Sequence, residues 1–482
     1  MKKTIAGWTL ILILGVNTVV RDAPMAITLE ESIEEHPIFM VIGQGISVSI
    51  NDFGAIPDDN KDDTIAIRKA LAINGSITMN RGIYNVHGII RLDKETSIEG
   101  NGSTFLSRLD KKHIGQTSKN ILTLKGNRIV IKNLILDGAY GKGNAKEGKN
   151  VSSLLHIYDS KNIILENLNS INHVSNWWSP KEFNFSKLNL NHRKDMYSVI
   201  YIGFSDNISI NNMEQKGNIK TEGLLLYESD NIRIDGFKSF NSSKIWTSLN
   251  IIASNNIILN NIYVADGKEN QKGSSINFIA NHHFVVKNTK TTTKQGFDIS
   301  NEVTVKGLNS RVMRDTSYGI FENCYFKGER ALYAYPTINK VEDVVFKNTT
   351  FIPTKEGFGT WSVRIEKAGK IKFKNCIFGS KRFKTFGIIL GDSREVLINN
   401  CQFINPSMGL YFFGKNFGKI NLSNNTFKGE NYSPIVFFSP KSYNIKGKAR
   451  ELYLNSNRVI GQVPHNRLYT LQGGFKIERI IK

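Results

Sequence analysis

Between residues 323 and 427 an aromatic side chain returns with a regularity that few folds accommodate. The tetrads Asn323-Cys324-Tyr325-Phe326, Asn348-Thr349-Thr350-Phe351, Asn375-Cys376-Ile377-Phe378 and Asn400-Cys401-Gln402-Phe403 share one register, and Phe427 extends it. The Phe separations are 25, 27, 25 and 24 residues. Those spacings are too long for a leucine-rich repeat and carry no 3.6-residue helical period. Upstream, Asn162-Ile163, Asn207-Ile208, Asn231-Ile232 and Asn256-Ile257 follow the same logic, led by Ser160, Ser205, Ser229 and Ser254. Each opens a short alternating strand such as Ile208-Ser209-Ile210. Strands this short cannot stand alone, but stacked about 4.8 Å apart they pair their backbones with the rungs above and below. The spacing therefore predicts an all-β coil.

The repeat also assigns roles. Three cysteines, an odd number, leave at least one thiol unpaired. Cys324, Cys376 and Cys401 fall in one column of the repeat, so they are expected to point into the stack as small buried hydrophobes and not toward a metal. The Asn columns are expected to fill turns and interior, and are not read as catalytic amides.

The chain opens with Lys2 and Lys3 ahead of an apolar run from Ile5 to Val20, the pattern of an export signal. Arg21 and Asp22 follow directly, which leaves the cleavage point open within Asp22 to Ala26 and keeps an uncleaved anchor as the alternative. No later segment approaches the roughly 18 consecutive apolar residues that span a bilayer. The mature body is expected to be secreted or periplasmic, with no membrane span, and its oligomeric state is not readable. Lys plus Arg total 63 against 42 Asp plus Glu, a net charge of +21 spread along the chain. Such a field attracts polyanions, either acidic polysaccharide or nucleic acid. The plainer reading is solvated lysine on loops. Nucleic acid is disfavoured, because basic-aromatic strips and a recognisable module are missing.

A run of motifs precedes the repeats: Asn51-Asp52-Phe53-Gly54-Ala55, Asp62-Asp63-Thr64, Ala66-Ile67, Ala70-Leu71, Asn80-Arg81-Gly82-Ile83-Tyr84 and Ile98-Glu99-Gly100-Asn101-Gly102. This closely resembles the N-terminal part of the pectate-lyase-like superfamily, with its "DFGA", acidic "DDT", short helix, "P-x-G-x-Y" and "I-x-G-x-G". The resemblance covers residues 48 to 105 by motif, and onward to about 460 by repeat architecture. It implies a right-handed single-stranded parallel β-helix with a short N-terminal capping helix. Residues 62 to 73 suit that helix, being amphipathic with an acidic start, and it would shield the open strand edges of the first rung. The expected divisions are 1–26 signal peptide, 27–47 lead-in, 48–105 cap and first rungs, 106–460 coil, and 461–482 tail or cap. The superfamily holds uronate lyases, polygalacturonase-like and carrageenan-cleaving hydrolases, alginate epimerases and phage depolymerases, so it implies sugar chemistry without choosing a reaction.

Asn162 and Asn207 lie 45 residues apart, about 20 more than a rung, which places an insertion near residues 172 to 195. It holds His173, Trp177, Trp178, Lys181 and Arg193. Sugar rings stack on aromatic faces, so Trp177 and Trp178, with His173, are candidate substrate-binding residues; the alternative is that the Trp pair covers core. Polygalacturonase-like enzymes carry "N-T-D-G-[IF]-D", then "D-D", "G-H-G" and "R-I-K". Here Lys220-Thr221-Glu222-Gly223-Leu224 stands at the first motif, but Thr247-Ser248 and Gly273-Ser274-Ser275 replace the acid pair and the His. A second echo, Lys294-Gln295-Gly296-Phe297-Asp298-Ile299, keeps one acid, and Arg364-Ile365-Glu366-Lys367 resembles "R-I-K" only loosely. Glu222 and Asp298 are 76 residues apart, three rungs or about 14 Å. Paired glycosidase carboxyls sit about 5 to 9.5 Å apart.

A lyase needs a base beside the uronate carboxyl and a cation to neutralise it. Asp298, Lys294, Arg311, Arg314 and Glu222 are therefore the catalytic candidates, with Glu302 and His282 added to the substrate-binding set. The competing readings are structural: His282-His283 as a turn pair, and Arg311 and Arg314 paired with Glu302 and Asp315. Asp298 must point outward from its Gly-Phe-Asp-Ile strand, since burial would be costly. No Walker loop, HExxH, GxSxG or paired CxxC is present, so nucleotide, zinc and serine-hydrolase chemistry lack support. The expectation is an exported enzyme cleaving an acidic polysaccharide by β-elimination. A hydrolase or C5 epimerase of uronic or sulfated polymers, and a non-catalytic glycan-binding coil or adhesin, are the alternatives. A cofactor is not readable; calcium enters only with the lyase reading.

Overall fold

Asparagine lets each rung turn. Asn162, Asn207, Asn231, Asn256, Asn323, Asn348, Asn375 and Asn400 all hold φ between 50° and 61°, the left-handed region that Asn tolerates better than other side chains with a Cβ. Stacking these turns brings the amides into ladders: Asn348 donates to Asn323 at 3.2 Å, Asn375 to Asn348 at 3.1 Å and Asn400 to Asn375 at 2.9 Å. The serines before the upstream turns form a second ladder. The backbone N–H groups of Ser160, Ser205 and Ser229 each donate to the hydroxyl one rung on at 3.2 Å. These columns are structural, as the repeat predicts.

The computed structural model describes residues 46–108, 120–139, 153–173, 198–217, 219, 222–240, 247–265, 275–300, 315–335, 340–357, 359–439, 447–463 and 467–481. The chain divides into two units, Met1–Gly43 and Gln44–Lys482, and every described residue belongs to the second; the segment expected as an export signal lies outside them. Forty strands among the described residues join one continuous parallel network. Successive rungs add one strand to each of three sheets. One sheet carries the candidate site, and its strands, in chain order, are β1 (Ile90–Asp93), β2 (Asn120–Lys125), β3 (Ser153–Tyr158), β4 (Ser198–Gly203) and β5 (Glu222–Tyr227). They continue as β6 (Leu249–Ile252), β7 (Ile276–Ile279), β8 (Gln295–Ser300), β9 (Arg330–Tyr335) and β10 (Trp361–Lys374). The last four are β11 (Thr385–Asn399), β12 (Pro406–Phe413), β13 (Ser433–Phe438) and β14 (Tyr469–Gln472). Each pairs in parallel with the next. Crossovers between parallel strands take the right-handed sense that strand twist imposes. The fold is a right-handed single-stranded parallel β-helix with a short N-terminal capping helix.

That helix, α1 (Thr64–Asn74), buries Ala66, Ile67, Ala70 and Leu71 in the coil's own core. Asp62 accepts from the Thr64 N–H at 2.9 Å, which tethers the helix start. Within the coil, Phe351, Phe378, Phe403 and Phe427 stack with centroids 5.2, 5.0 and 4.6 Å apart. Phe321, Phe346 and Phe373 form a parallel pile at 4.7 and 4.9 Å. Cys324, Cys376 and Cys401 are buried free thiols in one column, and burial holds the Cys324 thiol up at about 12, so it is protonated and unreactive. Parallel pairing continues to Lys476–Ile481, inside the segment expected as a tail or cap.

Candidate functional site

Alternation decides which side chains leave the coil. On β4 to β10 the inward positions are apolar and buried: Ile200, Leu224, Leu249, Ile276, Phe297, Leu332 and Val363. The next residue of each strand faces outward. Register places these outward residues in one column: Tyr201, Leu225, Asn250, Asn277, Asp298, Tyr333 and Arg364, preceded on β3 by His156. Neighbours along the column are about 4.8 Å apart.

The two sequence echoes occupy equivalent places. Glu222-Gly223 on β5 and Gln295-Gly296 on β8 share one register, three strand steps apart. A Cβ at Gly223 would lie 2.3 Å from the Ser248 carbonyl oxygen, and one at Gly296 2.3 Å from the Ala331 carbonyl oxygen. The glycines let the chain close onto the next rung, and this steric need explains the recurring motif without catalysis. Glu222 precedes that constriction and accepts from Asn250 Nδ2 at 3.3 Å, while Asn277 Nδ2 donates to Asn250 Oδ1 at 3.3 Å. A head-to-tail amide ladder thus runs from Glu222 toward Asp298. Burial pushes the Glu222 carboxyl up to about 7, opposed by the Asn250 hydrogen bond.

This shift carries a stability consequence. A carboxyl whose folded pKa is raised stabilises the fold fully below its unfolded value of 4.5, and loses that contribution as pH rises to about 7. The melting temperature of the wild-type chain is expected to fall across that window by more than that of Glu222→Gln, which cannot ionise. Parallel melting curves at pH 5 and pH 8 check this; identical pH dependence in both proteins refutes it.

Beyond Asp298 the column becomes cationic and aromatic. Arg330 and Arg364 each place Cζ 4.9 Å from the Trp361 ring centre and 5.8 Å from that of Tyr333. Arg364 pairs with Glu366 at 2.5 Å, and the Tyr333 hydroxyl donates to Glu366 at 3.5 Å. Half-buried Phe386, Tyr411, Phe413 and Phe438 continue the outward face. At the other end Tyr201, Leu225, Tyr227 and Ala253 form an apolar cluster separate from the core. There His156 is buried against Tyr201, with ring centres 4.5 Å apart, and burial lowers its pKa to about 4.

Of the residues singled out from sequence, Glu222 and Asp298 lie on this face and Lys294 is exposed in the turn leading into β8. Three strand steps separate β5 from β8, about 14 Å, as rung counting anticipates. His282 lies elsewhere, starting a strand of the next sheet; its Nδ1 shares a 2.8 Å hydrogen bond with Ser317 Oγ, and His283 takes the left-handed turn position at φ 50°. His173 is fully buried beyond the third-sheet strand Asn169–Ile171. Trp177, Trp178, Glu302, Arg311 and Arg314 lie outside the described residues. Asn250, Asn277, Arg330, Tyr333 and Trp361 escape a motif search. Asn250 and Asn277 had a signal: a single polar residue between two inward apolar ones, Leu249-Asn250-Ile251 and Ile276-Asn277-Phe278, as also in Phe297-Asp298-Ile299.

No family model and no curated protein matches the sequence. Solved structures similar to the chain include parallel β-helix carbohydrate-active proteins and a surface adhesin of Streptococcus pneumoniae. The A-module of the mannuronan C-5 epimerase AlgE4 of Azotobacter vinelandii is 13% identical, with a TM-score of 0.42 over 89% of this chain and 100% of its own. The N-terminal fragment of gene product 12 of bacteriophage Phi29 is 13% identical, with a TM-score of 0.49 over 86% of this chain and 72% of its own. A family 28 exopolygalacturonase of Yersinia enterocolitica is 11% identical, with a TM-score of 0.39 over 90% and 78%. At these identities the likeness concerns the fold, which the strand register establishes by itself.

Proposed function

We propose that this chain is an exported enzyme that holds an acidic polysaccharide along the outward face of β5 to β12 and cleaves it by β-elimination. The observation that carries this reading is the succession of Asp298, Tyr333 and Arg364 in one outward column, with Arg330 beside them. Elimination needs a base, a cation for the uronate carboxylate, and a proton for the leaving oxygen. In the proposed step Asp298 takes the proton from the carbon beside the carboxyl. The electron pair becomes a carbon–carbon double bond, the glycosidic C–O bond breaks, and the Tyr333 hydroxyl protonates the departing oxygen. Arg330 and Arg364 offset the negative charge that accumulates on the carboxyl.

Carboxylate spacing favours elimination over hydrolysis. Glu222 and Asp298 are about 14 Å apart along the stack. Glu366 is two strand steps and two residues from Asp298, about 12 Å from the strand and residue spacings. Both exceed the roughly 5 to 9.5 Å of glycosidase pairs. C5 epimerisation shares the proton abstraction, and the products separate the two. Among the described residues no group of three His, Cys, Asp or Glu is placed to hold a metal ion, and no step is routed through calcium.

The test is a panel of acidic polysaccharides followed by ultraviolet absorbance of unsaturated uronates and by reducing ends, with calcium and chelator arms. Both signals should rise together. Reducing ends without absorbance mark hydrolysis, altered sugar composition without cleavage marks epimerisation, and tight binding with no product marks a glycan-binding coil. Any of these three overturns the elimination reading.

A further inference from the structure

From the donor inventory around Trp361 we infer that Arg330, Trp361 and Arg364 form a subsite for the anionic group of one sugar residue, binding its carboxylate or sulfate oxygens. This rests on the proposed glycan-binding face, but not on the reaction. Two guanidinium groups lie 4.9 Å each from one indole, and among the described residues the only carboxylate paired with either is Glu366, on Arg364. Arg330 therefore brings a positive charge with no ion-pair partner among the described residues. Trp361 is 3% exposed, and its Nε1 has no hydrogen-bond acceptor; Nε of Arg364 is likewise buried without one. Buried donors lacking an acceptor are uncommon and costly. Here they belong to two side chains in contact, where Arg330 brings a positive charge in excess, so the missing partner is an acceptor-rich anion.

The surrounding geometry selects a sugar-borne anion. Tyr333 packs at a tilt against Trp361 with ring centres 5.4 Å apart, and the Phe413 ring lies 5.6 Å from Arg364. Phe386 and Tyr411 follow on β11 and β12, 5.8 Å from each other. An anion pocket bordered by half-buried aromatic faces suits a ring that carries its charge on a substituent. Both guanidinium groups lie against the indole, and their planar forks suit bidentate contact with an anion.

The experiment is calorimetric titration of the full chain with a uronic-acid oligosaccharide, with its carboxyl-reduced neutral counterpart, and with a sulfated oligosaccharide lacking carboxyls. Wild type is expected to bind an anionic form at least about tenfold more tightly than the neutral one. Preference for the uronate or for the sulfate identifies the source of the anion. Arg330→Gln is expected to lose about tenfold in affinity for that form and little for the neutral one, with an unchanged melting temperature. Arg330→Lys should recover only part of the loss. Lys374→Gln, an exposed charge in the later part of β10, which pairs with the strand Val341–Lys347 and not with β9, controls for diffuse attraction. Equal binding of charged and neutral forms by wild type, unchanged affinity in Arg330→Gln, or an equal loss in Lys374→Gln each overturns the subsite. Because binding is read without turnover, failure of the elimination reading leaves this result standing; failure of the subsite would remove Arg330 and Arg364 as the cations of the elimination step but leave the role of Asp298 to be read from turnover.

Discussion

Asp298→Asn is expected to lower turnover of the acidic glycan by about 10²- to 10⁴-fold, the usual contribution of a positioned general base, while its affinity for the same glycan stays within about twofold, an uncharged contact of equal size replacing the carboxylate. The substitution is nearly isosteric, and its strand is anchored by Phe297 and Ile299, both buried in the core, so the rung keeps its register. Loss of rate without loss of affinity would place Asp298 in the reaction and would exclude a coil that only binds. Single-turnover kinetics on the unsaturated product, with titration of the same oligosaccharide, separate the two quantities. Turnover within about threefold of wild type would remove Asp298 as the base. The same assay on Glu222→Gln tests the other acid of the face: a larger loss there than at Asp298 moves the proton abstraction to β5, where burial already places a carboxyl titrating at about 7.

The coil was legible because inward and turn positions obey one constraint at every rung. Phe326, Phe351, Phe378, Phe403 and Phe427 must meet face to face, and Asn323, Asn348, Asn375 and Asn400 must turn the chain at positive φ, so both recur at 24 to 27 residues. Outward positions obey no such rule. Asn250, Asn277, Asp298, Tyr333 and Arg364 are separated by 27, 21, 35 and 31 residues, because the turns between strands differ in length even where the strands stay in register. A ruler of fixed length slips off this column within two rungs. The motif echoes also misdirect: Glu222-Gly223 and Gln295-Gly296 do share a register, but the shared need is for a glycine against the next backbone. The Arg-rich part of the face was hidden for a further reason. Arg330 and Arg364 find Trp361 and Tyr333 through pairing between β9 and β10, a contact that no local pattern announces.

The aromatic pile that reveals the fold also bears most of the local stability, and Phe378→Ala is expected to cost about 3–5 kcal/mol. Phe378 is fully buried, parallel to Phe351 at 5.2 Å with 1° between planes, parallel to Phe403 at 5.0 Å, and edge-on to Phe373 at 5.5 Å. Removing the ring deletes contacts on three sides, and backbone pairing to Phe351 and Phe403 restrains the collapse that would refill the space. Outward Phe413→Ala leaves no interior void and should cost far less. In a stacked coil each rung is held by its neighbours, so the damage should be local: faster hydrogen exchange in the strands of adjacent rungs, and unchanged exchange near α1. Denaturant midpoints give the magnitude, and exchange mapped along the chain gives the location; a loss below about 1 kcal/mol, or protection lost evenly from end to end, contradicts this account. Phe378 belongs to the short strand that links β10 to β11. Loosening it should therefore weaken glycan affinity through the Trp361 and Arg364 side of the face at denaturant concentrations where α1 and the first rungs remain folded.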